Sequence, residues 1–188
     1  MAAAAAGSYG YASAPGDPVR GKPDGVMHPM LILQLLILIA VANGTPVAAN
    51  KLLGDKFAWP LDGGAVFLDG RPLLGRSKTI RGAMLALFAT TLAALPLGFH
   101  WEIGAVVAAG AITGDLLSSF VKRRLGLAPS SMAIGLDQIP ESLLPLAACR
   151  LLLPVTLLDI AAGTMLFFAG ELVLSRILYR LRLRDRPY

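Results

Sequence analysis

Asp115 stands inside an apolar run, and the residues that follow it at helical spacing are Ser118 or Ser119 and then Lys122. Positions three and four apart share one face of a helix. That face therefore carries a carboxylate, a hydroxyl and an ammonium in succession, with Arg123 and Arg124 extending its basic end. An ionisable group within an apolar segment is costly unless it meets a partner, water or a metal. Alone, Asp115 fits an ion pair that fixes helix packing as well as it fits a ligand site.

Three other stretches hold matching chemistry. "LGRSKTIRG" sets Arg76, Lys78 and Arg81 among the hydroxyls of Ser77 and Thr79. Cations, hydroxyls and backbone amides together suit a polyphosphate, although the Walker pattern is absent and a basic flank beside an apolar run explains the charges equally. "GLDQIPESLL" brings Asp137 and Glu141 to the start of another apolar run, four residues apart, where carboxylates also serve a helix dipole. Hard oxygen ligands beside separate cations are what a magnesium–nucleotide site requires. In "NGTPVAAN", Asn43 and Asn50 are seven apart on one face, and Gly44 and Pro46 invite a break or kink. Such amides line a cavity or bond between helices. Asp159 and Glu171 read as polar contacts within the last span, and His28 and His100 flank spans without metal-ligand spacing.

The elements that must position these groups are membrane helices. The chain has 188 residues, 55% of them hydrophobic, with a mean hydropathy of +0.65, more than a soluble core needs. The expected fold is an all-α integral membrane protein with five transmembrane helices, near Met30 to Asn50, Ile80 to Gly98, Ile103 to Val121, Ile139 to Leu153 and Val155 to Tyr179. Residues 1–28, rich in Ala, Gly and Pro, read as a disordered tail ahead of a membrane-embedded domain at 29–188. Arg20 and Lys22 before the first run imitate a secretory signal, but that run continues into the asparagines, so it reads as a retained span.

Charge orients the expected bundle. Lys and Arg crowd the first loop, the third loop and the C-terminus, and are missing from the second and fourth connections. The positive-inside rule makes the crowded side cytoplasmic and places the N-terminus outside a plasma membrane. The net charge of +5 thus reflects topology and phosphate partners rather than nucleic acid. Asp69-Gly70, between short apolar runs, predicts a small cytoplasmic β-hairpin with a type I′ turn in the first loop. A lone cysteine, Cys149, leaves no disulfide framework.

In order along the chain, "LDGRPLLGRSKTIRG", "GDLLSSFVKRRLG" and "GLDQIP" resemble the CDP-archaeol synthase family, relatives of the phosphatidate cytidylyltransferases. The resemblance implies a Mg2+-dependent transfer of CMP from CTP to a membrane lipid phosphate, with release of pyrophosphate. It implies Lys78, Thr79, Arg81, Ser119, Lys122 and Arg123 as holders of nucleotide or lipid phosphates, and Asp115 and Asp137 as metal ligands. Asn43 and Asn50 would border the cavity. The family pattern continues as Leu-Asp-Gln-Leu-Asp, whereas here Pro140 occupies the second aspartate's place and Glu141, the candidate replacement, stands beside it. The competing readings are a small transporter or channel and an inactive lipid-binding scaffold. A transporter distributes polar groups through the whole depth and often shows inverted repeats, whereas here they gather in one half.

Overall fold

The computed structural model describes residues 26–127 and 133–180. Most of the expected N-terminal tail, residues 1–25, lies outside that range, as do 128–132 and 181–188. Five α-helices follow in order: α1 (Pro29–Leu53), α2 (Ile80–Ala94), α3 (Trp101–Arg124), α4 (Gln138–Cys149) and α5 (Leu157–Arg180).

Local chemistry sets their ends. Pro29 opens α1 where a missing N–H costs nothing, and Gly54, at φ 52°, closes it. Pro46 lies within α1, yet the helix runs on through it. The Thr79 hydroxyl caps α2 by accepting the Gly82 N–H at 3.1 Å. A single 3₁₀ turn, Leu95–Leu97, follows α2 and stops at Gly98 in the left-handed region. Lys122, Arg123 and Arg124 form the last turn of α3, where the helix dipole favours cations.

Among the described residues four helices, not five, are long and apolar enough to cross a membrane. The expected fourth span is the twelve-residue α4, about 18 Å of helix against roughly 30 Å of hydrocarbon. Packing explains its position. A Cβ on Gly110 would lie 2.6 Å from the Pro145 Cα, and one on Gly114 would lie 2.3 Å from the Pro140 carbonyl oxygen. Small residues thus let α4 lie backbone to backbone along α3, antiparallel to it and starting halfway along its length. Gly104 gives α2 the same close approach, against the Thr90 carbonyl.

The expected β-hairpin is also corrected, because no strand forms among the described residues. The loop 54–79 holds two isolated antiparallel bridges, Pro60 with Thr79 and Val66 with Pro72. Pro72 has no N–H with which to continue a ladder. The turn is Phe67–Gly70, closed by the Gly70 N–H on the Phe67 carbonyl at 2.9 Å. Of Asp69 and Gly70, only Gly70 has positive φ, at 76°, so the two do not form the centre of a type I′ turn. Beyond it the Asp62 carboxylate, rather than a partner strand, accepts the Leu74 and Gly75 N–H groups at 2.9 and 3.4 Å.

The apolar core includes Leu35, Leu38 and Ile39 of α1, Val107 of α3, Leu146 of α4 and Val155 before α5. At one end of the bundle the Asp159 carboxylate of α5 accepts the His28 backbone N–H and meets its Nδ1, both at 2.8 Å. Nearby, the Gln34 amide of α1 donates to the Leu97 carbonyl at 2.9 Å. The starts of α1, α3 and α5 and the end of α2 therefore gather at the His28 end. The end of α3, the start of α2 and the loop gather at the other.

Candidate active site

Towards that second end the helices surround a cavity of about 330 Å³. Asn43 and Asn50 of α1, Lys78 before α2, Asp115, Ser119, Lys122 and Arg123 of α3, and Asp137 and Glu141 at the start of α4 all line it. One void thus brings together nine of the eleven candidate residues.

Opposite charges meet inside it. The Lys78 ammonium donates to both Asp115 carboxylate oxygens, at 2.5 and 2.6 Å. Lys122 pairs with Asp137 at 2.8 Å, and the other Asp137 oxygen accepts the Ala133 N–H at 3.0 Å. Arg123 lies close enough to Asp137 to interact with its charge. Glu141 is in hydrogen-bond contact with Asp115. The helical register thus turns Glu141 into the cavity, while Pro140, in the position of the family's second aspartate, packs its backbone against Gly114. The choice between Ser118 and Ser119 is resolved as well. Ser118 bonds back to the Gly114 carbonyl at 2.8 Å, and Ser119 lines the cavity.

Thr79 and Arg81 lie outside the lining. Thr79 is the cap of α2. The Arg81 guanidinium braces the end of α1, donating to the carbonyls of Gly54, at 3.1 Å, and Lys56. It also holds the Asn50 side-chain oxygen at 2.6 Å, so it reaches the cavity wall only through Asn50.

Several lining residues were not singled out as site residues from the sequence. Gln138 is fully buried; its side-chain oxygen accepts the Gly135 N–H at 2.7 Å, leaving Nε2 buried without a hydrogen bond. The Asn43 Nδ2 is likewise buried and unbonded. Two buried donors left unsatisfied cost stability. Glu171 and Ser175 of α5 also line the void. Their spacing of four on a mostly apolar helix was the available signal, but contact within the helix explained it equally.

The donor set can be tested against a divalent cation. No three His, Cys, Asp or Glu residues stand at metal-binding spacing among the described residues. Magnesium bound with a nucleotide needs only one or two protein carboxylates, the phosphates and water supplying the rest. The Asp115–Glu141 pair, beside Lys78, fits that requirement.

The CarS-like CDP-archaeol synthase family model matches residues 27–188. A CDP-archaeol synthase of Sulfurisphaera tokodaii is 33% identical over 154 residues, covering 79% of this chain and 84% of that protein. One from Pyrobaculum calidifontis is 33% identical across 84% of this chain and 98% of its own length. A solved structure described as an intramembrane enzyme for archaeal membrane lipids biosynthesis aligns with a TM-score of 0.67 at 31% identity, over 79% of this chain and 95% of that one.

Proposed function

The chain belongs to the CDP-archaeol synthase family, and from that premise we propose that it is a membrane-embedded, Mg2+-dependent CTP:lipid-phosphate cytidylyltransferase. It transfers CMP from CTP to a glycerol-lipid phosphate and releases pyrophosphate. The observation that carries this reading is the Lys78–Asp115 pair set in one cavity with Lys122, Arg123 and Glu141.

The reaction asks little covalent chemistry of the protein. A lipid phosphate oxygen, already anionic near neutral pH, attacks the α-phosphorus of CTP. A new phosphorus–oxygen bond forms as the bond to the bridging oxygen breaks, and pyrophosphate departs with that electron pair. No general base is required, so the absence of an activated Ser, Cys or His from the proposed mechanism is consistent. Alignment and charge neutralisation do the remainder. Lys78, Lys122 and Arg123 supply cations to the phosphates, with Ser119 as a hydroxyl donor, and Asn43 and Gln138 add amide side chains to the lining of the same space. Asp115 and Glu141 would hold Mg2+, with Asp137 as the further carboxylate. When bound, the ion neutralises phosphate charge as it builds on the leaving group. Asp137 also keeps Lys122 in place.

The bundle supports the expected orientation. The end of α3 and the start of α5 lie at opposite ends of the bundle, as a full span between them would place them. The parity of crossings is unchanged, and the Lys- and Arg-rich loops remain on the cavity side. In this reading the N-terminus lies outside the plasma membrane, and the cavity and C-terminus face the cytoplasm.

The test is incubation of the purified protein with labelled CTP, Mg2+ and a panel of lipid phosphates that includes phosphatidic acid and isoprenoid glycerol phosphates. A CDP-lipid from one of them, with pyrophosphate released in equal amount, is expected. No product from any member, together with no detectable CTP binding, would remove the proposal.

A further inference from the structure

The chain leaving α1 turns apolar side chains outward at the cavity end of the bundle. Leu52, Phe57 and Trp59 are 84%, 70% and 69% exposed. Phe57 is also the one non-glycine residue with positive φ, at 58°, among the described residues, a backbone conformation that disfavours a bulky side chain. These residues adjoin a larger apolar surface. The Trp59 carbonyl accepts the Ile80 N–H at 3.0 Å, and Ile80 opens a row on α2 that continues at four-residue intervals through Met84, Phe88 and Leu92, all of them exposed. Since α2 is long and apolar enough to cross a membrane, that row is a lipid-facing one, and it leads directly to Trp59. Lys51 and Lys56, both exposed, flank the segment and outnumber the exposed Asp55 between them.

We propose that Leu52, Phe57 and Trp59 insert into the bilayer surface at the cavity end of the bundle, and that this anchor positions the backbone carrying Lys78. A bilayer boundary offers hydrocarbon to the apolar side chains, a wet edge to the indole N–H and anionic headgroups to the two ammonium groups. Because the patch continues the lipid-facing row of α2, the boundary reaches it with no other molecule in between. Two ties then lead from the anchor to the cavity. The Leu61 N–H donates to the Lys78 carbonyl at 2.8 Å, so this bond and the one from Ile80 to Trp59 bracket Lys78 and Thr79, while the Lys78 ammonium holds Asp115. Arg81 gathers the carbonyls of Gly54 and Lys56 with the Asn50 side chain of the cavity wall. The membrane contact stands independently of the proposed reaction, whereas its effect on turnover rests on that reading.

The experiment uses the full-length protein in vesicles of equal parts phosphatidylcholine and phosphatidylglycerol. The chain has two tryptophans, and Trp101 opens α3 at the opposite end of the bundle, so Trp101→Phe leaves Trp59 as the single fluorophore. Its emission is expected to be quenched more by lipid brominated near the headgroup end of the acyl chains than by lipid brominated near their tips, giving a depth of about 5–10 Å, and to resist aqueous iodide. Quenching by iodide alone overturns the proposal, since the ring then lies in water. Resistance to all three quenchers also overturns it, since protein, such as a second copy of the chain, then covers the ring. In Trp59→Ser, exchange of the Leu61 and Ile80 amides is expected to quicken about tenfold and kcat to fall about tenfold, with Trp59→Phe restoring both. Unchanged exchange and turnover in Trp59→Ser would overturn the hold on Lys78. A lipid-quenched Trp59 in a protein that makes no CDP-lipid would keep the anchor and reject the proposed reaction. Full turnover with Trp59 in water would do the reverse.

Discussion

Gly114 and Pro140 meet with no room for a side chain, since a Cβ on Gly114 would lie 2.3 Å from the Pro140 carbonyl oxygen and 2.7 Å from the Glu141 nitrogen. The three nearest atoms are all backbone, so α4 as a whole must shift to admit a methyl group. That contact fixes the height at which α4 begins and thereby brings Glu141 against Asp115. Gly114→Ala is expected to cost about 1–3 kcal/mol of stability through overpacking and to depress turnover further than the loss of folded protein accounts for. Gly170→Ala, with open space around it, should be neutral or stabilising by up to about 1 kcal/mol. Thermal unfolding in detergent and turnover per folded molecule check both. Equal behaviour of the two variants would show that the α3–α4 contact does not set the site.

Asp115→Asn tests the centre of the cavity. The Lys78–Asp115 pair is partly open to solvent, at 21% and 31% side-chain exposure, and ion pairs of that kind contribute only about 0–1 kcal/mol. Stability should therefore change little. Loss of a carboxylate that balances Lys78 and reaches Glu141 is expected to lower kcat by about a hundredfold or more. Near-normal turnover, with the melting temperature lowered instead, would make Asp115 a packing residue.

Arg124 fastens the loop to the end of α3. Its guanidinium lies 4.7 Å from the Phe67 ring centre and 5.1 Å from that of Phe120, pairs with Asp69 and donates to the Pro72 carbonyl at 2.6 Å. Arg71 answers from the loop, donating to the Arg124 carbonyl at 2.6 Å. Arg124→Lys keeps the charge but loses the planar fork and much of the stacking. It should free the loop almost as much as Arg124→Ala does, each losing about 0.5–1 kcal/mol from the ring contacts. Limited proteolysis within 54–79 measures this, and full protection retained by the lysine variant would assign the clasp to charge alone.

Much of the site was legible because a polar residue in an apolar segment is conspicuous. Asp115, Asn43 and Lys122 stood out against their neighbours, and helical spacing alone put Asp115 and Lys122 on one face. The fourth segment, Ile139 to Leu153, was visibly short, yet "PESLLPLAACRLLLP" is apolar enough to be counted as a span. What the sequence did not show is its placement along α3, set by the contact of Pro140 and Pro145 with glycines, a relation between distant segments. The hairpin failed for a related reason: the turn signal at Asp69-Gly70 was real, but Asp62 and Arg124 hold the returning chain in place of a strand. Thr79 and Arg81 carry the residue types of a phosphate site, and residue type alone did not show that they also serve as a helix cap and a loop brace.

Asp62 gives the loop a defined pH dependence. Burial pushes its carboxyl up, but the backbone N–H groups of Leu74, Gly64 and Gly75 outweigh that effect and hold its pKa below the ordinary 3.8. A carboxyl depressed on folding stabilises the folded form above its unfolded pKa, and that contribution disappears as pH falls through the folded value. The loop should therefore hold its order unchanged from neutrality down to about pH 5 and loosen only below about pH 4. Hydrogen-exchange protection factors at the Leu74 and Gly75 amides, which donate to Asp62 at 2.9 and 3.4 Å, report this directly. Asp62→Ala should remove that protection at pH 7 and with it the acid dependence. Protection unchanged in Asp62→Ala at neutral pH would mean that the Arg71–Arg124 clasp orders the loop without the carboxylate.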